Sequence, residues 1–141
     1  MIGFRWVLVP AVAAVFACGS PVNCGAAPTV LLGQWTYSAD QNQPAATLNG
    51  TLTIQAGCPN FQGALQGNLV DDVGHVTPFN VMVVGQMLDT TSVVFDAYFG
   101  AAGRHHVGKI AHDSITGIWV DQTSGGPSSA GSFIAAKEHT P

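Results

Sequence analysis

The chain has 141 residues, 47 % of them hydrophobic and only 9 % charged, against roughly 25 % charged in ordinary soluble domains. That length holds one domain with its own core, not two. Four Lys and Arg against eight Asp and Glu, a net charge of −4, cannot neutralise a run of phosphates, which leaves no case for nucleic acid as a partner.

Met1 to Arg5 supplies one positive charge, and Trp6 to Ala17 is apolar throughout. A spanning helix needs ~20 apolar residues; this run has the length of a signal-peptide core, so residues 1–17 read as an export signal, with a retained anchor helix as the alternative. Val15-Phe16-Ala17-Cys18 resembles a bacterial lipobox, which implies a lipid on Cys18 and attachment to the membrane of the cell envelope. Val15 and Ala17 fit that pattern and Phe16 departs from it, while the same small pair suits ordinary signal-peptidase cleavage and secretion. Residues 18–29, opening Cys18-Gly19-Ser20-Pro21, have no periodicity and read as a flexible tether. With Cys18 lipidated, Cys24 and Cys58 are left to form a disulfide, which would contribute about 3 kcal/mol. The other reading keeps Cys24 as a free thiol in the tail, since spacing does not bring two Cα atoms together.

From Val30 onward turn residues recur about every ten positions and no stretch keeps a helical period, the pattern of an all-β sandwich or barrel. Leu31, Gly33, Trp35 and Tyr37 alternate along a first strand, and Ser38 to Pro44 reads as a polar turn. Leu48, Leu52 and Ile54 share one face of a second strand. Asn49-Gly50 within it is a possible hairpin turn, but the alternation runs straight across and favours a continuous strand. After Gly57-Cys58-Pro59-Asn60, Phe61, Gly63, Leu65, Gly67 and Leu69 set large residues against glycine on one face, as a tapering barrel interior requires. Asp71 to Gly74 turns the chain into a fourth strand, Val76 to Val84, where Pro78 marks an irregularity or a missing neighbour. Val93 to Phe99, Arg104 to His112, Asp113 to Asp121 and Ala130 to Lys137 complete the set. The prediction is an all-β domain over residues 30–138: a single eight-stranded antiparallel up-and-down barrel following the N-terminal signal segment. Such a barrel is just large enough to be filled by side chains or to hold one small ligand.

Gly33-Gln34-Trp35 opening the first strand and Gly131, Phe133 and Lys137 on the last resemble the calycin group, the lipocalin-like and avidin-like barrels. The resemblance implies that Lys137 packs across the Trp35 indole. In avidin-like proteins an Asn two positions beyond the Trp binds biotin; here that position is Tyr37, and the later tryptophan cluster is missing, so biotin is not implied.

Few residues carry chemistry. His105 and His106 are adjacent and point to opposite faces of a strand, and His112 lies too far from either to share a metal. Ser128 and Ser129 follow no nucleophile turn. No catalytic residue, metal or cofactor is assigned, and the protein reads as a binding protein, not an enzyme. The expected ligand-binding residues are Tyr37, Phe61, Phe79, Phe95 and Trp119, with Asp96, isolated in an apolar strand, as a polar contact inside the cavity or a residue facing water. The expected partner is a small apolar molecule. The alternative is a solid barrel whose outer face docks to another envelope component.

Overall fold

The computed structural model describes residues 30–56, 61–100, 102–122 and 129–139. The two-residue period turns into strand in eight places: β1 (Gly33–Asn42), β2 (Ala45–Gln55), β3 (Phe61–Asp71), β4 (Val76–Met87), β5 (Ser92–Phe99), β6 (Ala102–Ala111), β7 (Ser114–Asp121) and β8 (Ala130–Lys137). Each strand pairs antiparallel with the next, and β8 returns to β1 from Trp35↔Lys137 to Ala39↔Phe133. The result is the expected closed up-and-down barrel. The signal segment, the tether and Cys18, Cys24 and Cys58 lie outside the described residues.

Alternation sorts the side chains. Trp35, Tyr37 and Ala39 of β1, Leu48, Leu52 and Ile54 of β2, and Ile115 and Trp119 of β7 are all buried in one core, while the residues between them face out. The strand carrying Gly33-Gln34-Trp35 and the strand carrying Gly117-Ile118-Trp119 therefore share a single interior. At one end Leu31 and Trp35 close the barrel, the indole Nε1 donating to the Leu31 carbonyl at 2.9 Å. Lys137 stands opposite Trp35 with Nζ 5.5 Å from the ring centroid and donates to the Val30 carbonyl at 3.1 Å.

One local reading changes. Ser38 to Pro44 is mostly strand, because Ala39 and Gln41 keep the inward alternation and pair with Leu48 and Ala46; only Gln43 and Pro44 turn. Asn49-Gly50 is continuous strand, as expected, and Gly50 faces Gly67 on β3. A Cβ on Gly67 would stand 2.5 Å from the Gly50 Cα and 2.0 Å from the Asn49 carbonyl oxygen. Glycine there lets two backbones close on each other at a corner of the barrel.

One seam is short. β3 and β4 pair along their length, Val70↔Val76 to Phe61↔Gly85, but β4 pairs β5 only from Val83↔Ala97 to Met87↔Val93. Val76 to Met82 therefore has no β5 partner, and Pro78, which has no N–H to donate, falls in that half. This gap lies at the end of the barrel away from Trp35.

Candidate functional site

Cross-strand partners carry a row of rings through the interior: Trp119 opposite His106, His106 opposite Phe95, Phe95 opposite Gly85, and Gly85 opposite Phe61. The His106 and Phe95 rings stack at 4.3 Å and 12°, and Phe133 meets His106 edge-on at 5.0 Å. Gly85 makes the row possible, since a Cβ there would lie 2.5 Å from the Phe95 Cβ and 2.6 Å from the Phe61 Cζ. Of the residues expected to bind ligand, Tyr37, Phe61, Phe95 and Trp119 are brought together here, each no more than 3 % exposed. They pack mainly on one another.

Phe79 and Asp96 lie apart from that group. Phe79 faces inward at the unzipped seam, half buried, with Phe99 edge-on at 5.2 Å. Asp96 is on the outer wall, one position out of step with the inward Phe95 and Ala97. It meets His105, its cross-strand partner on β6, through a 2.8 Å contact, with both side chains about one-third exposed (29 % and 32 %). A shallow groove of about 280 Å³ runs over this pair between Val84, Gln86 and Val94. Its parity corrects the interior reading: a residue flanked by two core side chains in a strand must point away from the core.

Below the seam end sits a polar group that the sequence did not announce. The Tyr37 hydroxyl lies 2.8 Å from His106 Nε2, and His106 Nδ1 lies 2.9 Å from the Arg104 carbonyl. A carbonyl only accepts, so Nδ1 carries the proton, and Nε2 accepts from the Tyr37 hydroxyl. Burial pushes the His106 pKa down from 6.5 to about 4, the Arg104 charge adding to it and the carbonyl bond opposing it. Burial likewise raises the Tyr37 phenol, against a smaller opposing pull from Arg104. Both groups are neutral near pH 7.

Arg104, on the inward face near the start of β6, carries its guanidinium 4.3 Å from the Phe99 centroid and 4.6 Å from that of Trp119. Its Nε donates to Asp121 Oδ1 at 3.1 Å and its Nη2 to Gln41 Oε1 at 2.9 Å. Gln41 is held in turn by donating to the Pro44 carbonyl at 2.8 Å. Nη1 is buried and has no hydrogen-bond partner among the described residues. Trp119 is fixed by its own Nε1, which donates to the Asp40 carbonyl at 3.0 Å.

Sequence reasoning missed Arg104 and His106 as interior residues because a charged residue at a strand start and a His-His pair both have bland surface readings. The available signal was parity: with Gly108 and Ile110 facing inward, residues 104 and 106 follow on the same face.

No protein-family model matches the chain, and no curated protein matches it in sequence. Solved structures do share its fold. A de novo designed fluorescence-activating β-barrel superposes with a TM-score of 0.62 at 13 % identity, over 79 % of this chain and 97 % of that one. A redesigned β-barrel, mFAP1, solved bound to DFHBI, gives 0.62 at 15 % identity, over 79 % and 98 %. An S-type phycobiliprotein lyase from Guillardia theta gives 0.55 at 10 % identity, over 81 % and 92 %. At these identities the likeness is one of architecture.

Proposed function

We propose that the protein is an exported binding protein with a calycin-like barrel, anchored to the envelope through a lipid on Cys18, and that it takes a small, largely apolar molecule at the unzipped end of the barrel. The observation that carries this reading is the β4–β5 seam. There Phe79 and Phe99 face inward yet remain only half buried, while the inward side chains around Trp35 are sealed. Small-ligand sites usually set a few polar groups among apolar side chains, and Arg104, 4.3 Å from the Phe99 ring, with its partner Gln41 supplies such groups beside Phe99. The mFAP1 barrel, which shares the architecture, was solved with a small molecule bound.

Because the middle of the barrel is packed, the proposed ligand would sit at the rim, above Trp119 and Tyr37. Native mass spectrometry of the full-length chain, purified from its membranes or incubated with a total lipid extract, should show a small-molecule adduct that Phe99→Ser removes. A protein that stays at its own mass under both conditions overturns the reading. Intact mass of the mature chain separately tests Cys18, since diacylation and plain cleavage leave different N-termini.

A second reading has its own support on the outer wall. Val107, Ile118 and Ile134 of β6, β7 and β8 are 44 %, 61 % and 47 % exposed, with Val107 and Ile118 directly paired. Such a patch marks an interaction surface, and Ile118→Glu should abolish any co-purifying envelope protein while leaving the adduct intact.

A further inference from the structure

Among the described residues, Arg104 holds the one buried side-chain nitrogen or oxygen without a hydrogen-bond partner. Its charge has been taken largely out of water and is met by a single carboxylate, Asp121, whose side chain is 18 % exposed against 12 % for Arg104. Gln41 Oε1 takes one Nη2 hydrogen. Both Nη1 hydrogens are left without an acceptor among the described residues. Leaving buried donors of a charged group unbonded is costly, and native proteins keep such groups where something else completes them. The surroundings also hold the guanidinium still. Phe99 and Trp119 flank it, Trp119 is pinned to the Asp40 carbonyl, and Gln41 is pinned to the Pro44 carbonyl. An arginine held between rings with one donor nitrogen buried and unbonded is matched to a planar oxyanion.

We infer that the molecule taken at this end carries an acidic group, a carboxylate or sulfonate on an apolar and preferably aromatic body, and that Arg104 receives it through Nη1. This rests on the rim-binding reading above. Arg104 presents the charge, Gln41 and Asp121 orient it, and Phe99 and Phe79 cover the apolar body, the two rings lying 5.2 Å apart. Tyr37 lies below with its hydroxyl already committed to His106, so the acid is read by the guanidinium rather than by the phenol.

Two fluorescent probes with the same ring system separate the ideas: N-phenyl-1-naphthylamine, which is neutral, and 8-anilinonaphthalene-1-sulfonate, which adds the acid. Titrated into the full chain, the sulfonate should bind at least about tenfold tighter than the neutral probe, the scale of a hydrogen bond to a charged group. Arg104→Gln should bring the two affinities together, and Arg104→Lys, keeping the charge without the fork, should restore only part of the preference. Where Arg104→Gln fails to fold, the wild-type protein still decides: the Arg104 side-chain nitrogen resonances should shift on adding the sulfonate and stay unmoved with the neutral probe. Equal affinities, or a preference that survives Arg104→Gln, overturn the acid assignment and leave rim binding standing. Failure of both probes to bind, with the Arg104 resonances unmoved, overturns rim binding itself.

Discussion

Acid should loosen this barrel from the inside, through His106. Its imidazole is neutral in the fold, with a pKa near 4 against 6.5 for the free side chain. Above pH 6.5 neither the folded nor the unfolded chain carries a proton there, and the group makes no pH-dependent contribution. Below 6.5 the unfolded chain takes up a proton that the folded barrel refuses, so stability falls with pH until about 4, where the folded imidazole titrates as well. At about 1.4 kcal/mol per pH unit the loss over that window is about 3 kcal/mol. With a urea dependence of about 1.5 kcal/mol/M, the midpoint should drop by about 2 M. The control is His106→Gln, which cannot titrate but keeps an acceptor for the Tyr37 hydroxyl. Urea unfolding followed by tryptophan fluorescence at pH 7.5, 6.5, 5.5 and 4.5 should show the wild type losing about 3 kcal/mol more than His106→Gln. Subtracting the variant removes every group common to both proteins, among them Asp89, whose carboxyl is held low by the Thr91 backbone N–H. Parallel pH profiles would refute the reasoning, because they would mean that His106 accepts a proton within the fold at no cost.

Gly85→Ala should lower the urea midpoint by about 1–3 kcal/mol equivalent, because its Cβ lands between Phe61 and Phe95; near-ultraviolet circular dichroism should report the displaced rings. Tyr37→Phe leaves His106 Nε2 without a donor, and the loss, read from thermal unfolding at pH 7.5, should be about 1–3 kcal/mol. Lys137→Met removes the cation beside Trp35 but keeps the apolar stem, so its cost should stay within about 1 kcal/mol. Gln41→Ala should leave the fold intact while weakening the sulfonate probe more than the neutral one, as a titration of both would show.

Much of this molecule was legible before any coordinates. Alternation along Leu48–Ile54, Phe61–Leu69 and Ile115–Trp119 specified which face each strand buries, because the side-chain period of a strand leaves no third choice. Turn residues at regular spacing specified the number of strands, and Gly33-Gln34-Trp35 with Lys137 marked the strands that close the barrel. Strand ends were less legible where polar residues continue an inward set, as Ala39 and Gln41 do beyond Tyr37.

Local pattern does not say how far one strand slides past its neighbour. That offset decides which end of the barrel stays unzipped, and so places Phe79 beside Phe99 and both at an opening. It also sets Arg104, Gln41 and Asp121 together, residues drawn from three strands. The chain alone determined a barrel and its inner face, since those follow from periodicity within each strand. Only closure decided where charge and aromatic rings converge, because convergence depends on the stagger between strands far apart in sequence.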